Sequence, residues 1–239
     1  MLGLLENSLI PYTRPAQPLI IQILNQVNKG CSLYYRYLRK NRNLRTNLSV
    51  RENRWQTELN STFDVNFWNK VYINTASIKG ENKLKWLQFQ INRNSLYTNY
   101  KVNKFARHVQ PYCTFCSQEG SQARHIELIS HLFFSCNYVQ CFWQDVRAWF
   151  LAINPPVDIP LNLKDILFGF INENSNTVRN FVILCGKYYI WVTKLKSGLV
   201  NLLSFKLFLK HKLDEVKNAL LYQDKISLFE NWTHVYDLL

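Results

Sequence analysis

The sequence predicts a mainly α fold, bundle-like, with a small loop stapled by three cysteines and a histidine and little or no β structure. Three observations lead there. Glycine and proline number only seven each in 239 residues, too few chain breakers for a many-turned β protein. Apolar residues recur at helical spacing in several segments. The richest cluster of metal-ligand residue types, between Pro111 and Phe150, has the spacing of a closed tetrahedral site. Hydrophobic content of 47% and aromatic content of 15% exclude bulk disorder. A chain of this length can bury a real core, as one domain or two small ones.

Taken in order, residues 1–50 form a basic N-terminal segment. Pro11, Pro15 and Pro18 mark a turn region, and Leu19 to Leu24 is an apolar run that reads equally as strand or buried helix. From Tyr34 to Arg45, three tyrosines (Tyr34, Tyr35, Tyr37) alternate with Arg36, Arg39, Lys40, Arg42 and Arg45. Such a stretch suits nucleic acid, with cations on phosphates and rings on bases. It suits equally a solvated helix with tyrosines packed beneath it. Residues 51–154 form a helical region. Phe67, Trp68, Val71 and Tyr72 make one apolar stripe, and Leu84, Leu87 and Ile91 make another. Lys83, Lys85 and Arg93 decorate the other side of the second stripe. A helix from Tyr138 to Ile153 turns Phe142, Val146, Trp149 and Phe150 to one face and ends before Pro155 and Pro156. Residues 155–162 read as a linker. The C-terminal helical region, 163–239, holds a segment from Asn180 to Thr193 that is apolar nearly all round and so should be buried. Leu209, Leu213, Val216 and Leu220 then mark an amphipathic helix.

Net charge is +13, and +12 of it precedes residue 111; residues 111–160 carry −2. That asymmetry points to a polyanionic partner, RNA and/or DNA. The apolar run from Phe181 to Phe205 is interrupted by Lys187, Lys194 and Lys196, so no membrane span is expected. The N-terminus lacks the basic start and long apolar run of a secretory signal. The expected location is intracellular, in nucleus and/or cytoplasm, and not secreted.

The cysteine segment carries the sharpest chemistry. Cys113 and Cys116 form a C-x2-C pair within turn-like surroundings, and His131 and Cys136 follow. Two thiolates on one tight turn plus a histidine and a third thiolate complete a Cys3His set, a standard structural zinc site. With all four corners filled by protein, no place remains for a catalytic water. His125 also lies between the pairs and is the alternative third ligand. Cys31, Cys141 and Cys185 sit singly and read as reduced cysteines packed as small apolar residues.

The pattern C-x2-C, then His131-Leu132-Phe133-Phe134-Ser135-Cys136, then Phe142-Trp143, resembles the zinc-binding segment behind the polymerase of LINE-type (non-LTR) retrotransposon reverse transcriptases. Arg54 to Leu59, Lys85 to Gln90 and Phe181 to Trp191 extend the resemblance over most of the chain from about residue 50. Asn137 departs from the family, which commonly has proline after the last cysteine, and the gap from Cys116 to His131 is longer than its compact version. The resemblance implies a polymerase domain as a further partner. The polymerase's paired aspartates are missing, since the seven aspartates here are scattered singly, and two-metal chemistry needs converging carboxylates. No Gly-rich phosphate loop is present either. The expected function is therefore a non-catalytic, zinc-binding, nucleic-acid-binding C-terminal module. The alternatives are a protein-interaction domain that packs on the polymerase, and a decayed transposon-derived reading frame with no function.

Overall fold

The computed structural model describes residues 48–77, 82–117, 124–152, 159, 162–171, 177–223, 233–237 and 239. The tyrosine–arginine stretch, with Tyr34, Tyr35, Arg36, Tyr37, Arg39, Lys40, Arg42 and Arg45, lies outside them. Among the described residues the structure is helical and contains no strand; the single β-type pairing is an isolated antiparallel bridge between Tyr112 and Ile126. No described helix is long and apolar enough to cross a membrane.

The first four helices are α1 (Val50–Leu59), α2 (Val65–Ser77), α3 (Asn82–Asn92) and α4 (Asn99–Asn103). Helix α1 starts at a capping box: Glu52 N donates to Ser49 Oγ at 3.3 Å, and Ser49 N to the Glu52 carboxylate at 2.7 Å. It stops at Asn60, whose φ of 46° is left-handed, a conformation asparagine tolerates better than most residues. Trp55 is fully buried, and its Nε1 donates to the carbonyls of Ile91 and Asn92. It thereby ties α1 to carbonyls in the last turn of α3, where Ile91 O also accepts from Asn94 N at 2.8 Å. Trp68 and Val71 of the α2 stripe are buried, while Phe67 and Tyr72 are half-buried against the same core. Trp55, Phe67 and Trp68 all meet Phe168 edge-on at 5.2–5.9 Å, a geometry aromatic quadrupoles favour.

The next elements are α5 (Thr114–Ser117), a wide helical turn at His131–Ser135, and α6 (Asn137–Leu151). Then come α7 (Leu163–Phe168), α8 (Thr177–Leu195), α9 (Leu202–Tyr222) and α10 (Thr233–Tyr236). Helix α8 is the central strut. Phe181 through Lys187 are all buried, as a helix apolar on every side requires. It packs against α3, α9 and the wide turn. Gly186 lets it approach Trp143 of α6: a Cβ there would lie 2.4 Å from the indole ring. Leu209, Leu213, Val216 and Leu220 of α9 are buried as their spacing predicts. Leu48–Leu239 clusters as one compact unit, and helices from both sides of 155–162 share its core. Trp143 and Phe181 are buried, whereas Trp149 and Trp191 are half-buried, each with a lysine ammonium over its ring (Lys206 at 4.6 Å, Lys194 at 4.9 Å).

A buried polar chain threads this core. Lys187 Nζ donates to Gln88 Oε1 and to the Leu167 carbonyl. Gln88 Nε2 donates to Asn92 Oδ1 and the same carbonyl. Asn92 Nδ2 reaches Thr75 Oγ1, which donates to the Val71 carbonyl. Four helices are tied by one satisfied network, the condition under which buried polar groups favour a unique packing.

Candidate metal centre

The chain enters the site from α4 through the loop at Pro111. Two backbone bonds pair this loop with the segment before the wide turn: Cys113 N to His125 O at 2.8 Å, and Glu127 N to Pro111 O at 2.9 Å. The single turn α5 then places Cys113 and Cys116 side by side. His131 opens the wide turn, which closes with Cys136 N donating to His131 O, five residues back rather than four. That widening brings Cys136 back beside the histidine, and Cys136 then serves as the N-cap of α6.

Cys113, Cys116, His131 and Cys136 are all buried, and their ligand atoms lie within 4.8 Å of one another. The Cys113–Cys136 sulfurs are 3.9 Å apart, the Cys116–Cys136 sulfurs 3.7 Å, and Cys116 Sγ lies 3.5 Å from His131 Nε2. A tetrahedral ion with metal–sulfur bonds of about 2.3 Å and a metal–nitrogen bond of about 2.0–2.1 Å requires edges of roughly 3.8 Å and 3.5 Å. The donor set fits. None of these cysteines is in a disulfide, and sulfurs this far apart are not bonded. The four residues could therefore hold a metal ion.

The histidine is positioned for ligation. With Nε2 facing the sulfurs, Nδ1 is left to donate to Ser135 Oγ at 3.4 Å, the outer contact that orients ligand imidazoles. His125 is exposed and outside the cluster. Its ring stacks on His131 at 5.3 Å between centroids, so it flanks the ligand position rather than filling it. Without a cation Cys113 and Cys116 resist ionisation. Cys113 is pushed up to about 12 by its hydrogen bond with Cys136 and by burial. Cys116 is also raised, by burial first and then by Cys113. A cation must therefore displace protons to bind.

Glu127 is the residue that sequence reading misses. It is fully buried, and its carboxylate accepts from Asn99 N at 2.7 Å, Thr114 N at 3.1 Å and Thr114 Oγ1 at 3.2 Å. It also pairs with Lys194 near the end of α8 at 3.1 Å. Asn99 Nδ2 bonds the Tyr112 carbonyl and Thr114 Oγ1. The carboxylate thus clamps the cysteine turn to α4 and α8. Nothing in its local sequence distinguishes it from a surface glutamate. Of the other expected contact residues, Lys83 is exposed, and Lys85 and Arg93 are half-buried, all on α3 or just beyond it. They are not part of the metal cluster.

No protein-family model matches this chain, and no curated protein matches it.

Proposed function

We propose that this protein is a non-catalytic nucleic-acid-binding module stapled by one zinc ion, related to the C-terminal region of LINE-type reverse transcriptases. Zinc is the ion of choice because three thiolates and one imidazole in tetrahedral array suit it and leave no open corner for chemistry. The observation that carries the partner is the charge layout. Asn82 to Gln110 holds six lysines and arginines and no acid, and it runs directly into the metal loop. Three thiolates and a dication leave the centre itself at about −1, so phosphates belong on the basic side. RNA and/or DNA is the ligand class, with a polymerase domain as second partner.

The test is a salt titration of the metal-loaded protein with RNA and with DNA, beside a metal assay. Affinity should fall linearly on log–log axes. Charge reversal of Lys83, Lys85 and Arg93, or of Arg39, Lys40 and Arg42, should lower the slope by roughly one per lost phosphate contact. Absence of binding at low salt would reject the reading. A second reading, docking on a polymerase, is favoured by the exposed leucines 195, 199, 203 and 207 at the α8–α9 corner. Binding of a purified polymerase domain, lost when Leu203 and Leu207 become serine, would establish it.

A further inference from the structure

Helix α3 turns Leu84, Leu87 and Ile91 to the core, and its outer face is unusual. Trp86 is 59% exposed and stacks on Phe89, with centroids 5.5 Å apart and planes only 20° from parallel. The Arg93 guanidinium lies 4.9 Å from the centre of the Phe89 ring. A second aromatic pair follows. Tyr97 and Phe105, 59% and 68% exposed, meet edge-on at 5.9 Å. Between them in sequence, Lys104 Nζ lies 4.5 Å from the Tyr100 ring. Large rings left in water cost burial free energy that the fold could have used. Here they are interleaved with cations in a stretch that lacks any acid.

A protein-docking patch explains the rings but not the charge, since interface cores are depleted of lysine. A double-helical ligand explains the charge but not the rings, because its bases are already stacked on one another. Unpaired bases explain both: each presents a bare π-face to an aromatic platform, and its phosphate meets the neighbouring cation. We propose that the outer face of α3 and the α4 region bind single-stranded nucleic acid. Bases stack on Trp86 and on the Tyr97–Phe105 pair, and Arg93 and Lys104 hold the phosphates. This rests on the nucleic-acid reading above and adds its substrate class.

The experiment uses the full metal-loaded chain with a labelled deoxythymidine homopolymer, a uridine homopolymer and a duplex of matched length. Wild-type protein should prefer the single strands. Trp86→Ala should weaken single-strand binding roughly 5- to 150-fold without changing the salt slope, and Trp86→Phe should restore most of it. Arg93→Gln should instead lower the slope by about one. Because Trp86 is exposed, metal content and melting temperature of its variants should match wild type. Equal binding of duplex and single strand, or a Trp86→Ala loss below twofold, would overturn the proposal while leaving the nucleic-acid reading intact. Absence of binding to all three probes would overturn both.

Discussion

Replacing Glu127 with glutamine tests the clamp that joins the cysteine turn to α8. The change preserves shape and one acceptor oxygen but removes the charge. Lys194, with only 7% of its side chain exposed, is left as an uncompensated buried cation. The new NH2 group must also face one of the donors on Asn99 or Thr114 that the carboxylate now satisfies. Removing one partner of a buried ion pair costs about 3–5 kcal/mol, a large share of the roughly 5–15 kcal/mol that holds a domain folded. With a urea m-value near ~3 kcal/mol/M, the midpoint should fall by roughly 1–2 M. Metal affinity should also fall, by about 10–100-fold, because the contact supports the ligand turn from outside. The readouts are urea unfolding followed by tryptophan fluorescence, and competition with a chelator of known affinity. Lys194→Met in the same chain removes the orphaned charge and should recover about half of the loss. A single-variant cost below about 1 kcal/mol, or a double variant no more stable than the single, would show that the pair does not hold the turn.

The purified protein should carry one zinc per chain by elemental analysis; His131→Ala should lose it and His125→Ala keep it, and the opposite pattern would transfer the ligand role to His125. Stripping the metal should loosen residues 111–140 to hydrogen exchange while α8 and α9 stay better protected, since most of the side chains they bury are apolar and contact one another. Burial lowers Lys187 to about 7 from 10.5. The unfolded chain therefore holds a proton that the native state lacks between those values, and stability should rise with pH from 7 to 9 by up to ~1.4 kcal/mol per unit. Lys187→Met should flatten that slope in denaturant titrations. Gly186→Ala drives a methyl group into Trp143, whose ring is pinned by its bond to the Phe133 carbonyl, and should cost about 1–3 kcal/mol in unfolding experiments.

Much of this architecture is legible in the sequence because it is written at short range. Helix positions follow from apolar spacing on the 3.6-residue period, and α2, α3, α6, α8 and α9 lie within a few residues of where that spacing puts them. All four residues of the candidate metal cluster are readable too, because C-x2-C closes on itself within one turn and His131 and Cys136 are held close by the chain. Choosing His131 over His125 also followed from that short reach. The tertiary structure alone decided what depends on distant partners. Glu127 and Lys194 look like solvated charges until folding places them together inside the core. Lys187 interrupts an apolar helix, yet it is buried because Gln88, far back in the chain, offers it an oxygen. Trp86 falls off the Leu84–Leu87–Ile91 stripe, so periodicity puts it on the outer side of α3, but how much of its ring stays exposed there is set by packing. The reason is physical: local periodicity is set by backbone geometry, whereas the burial of a charge or the exposure of a ring is set by whichever element comes to lie against it.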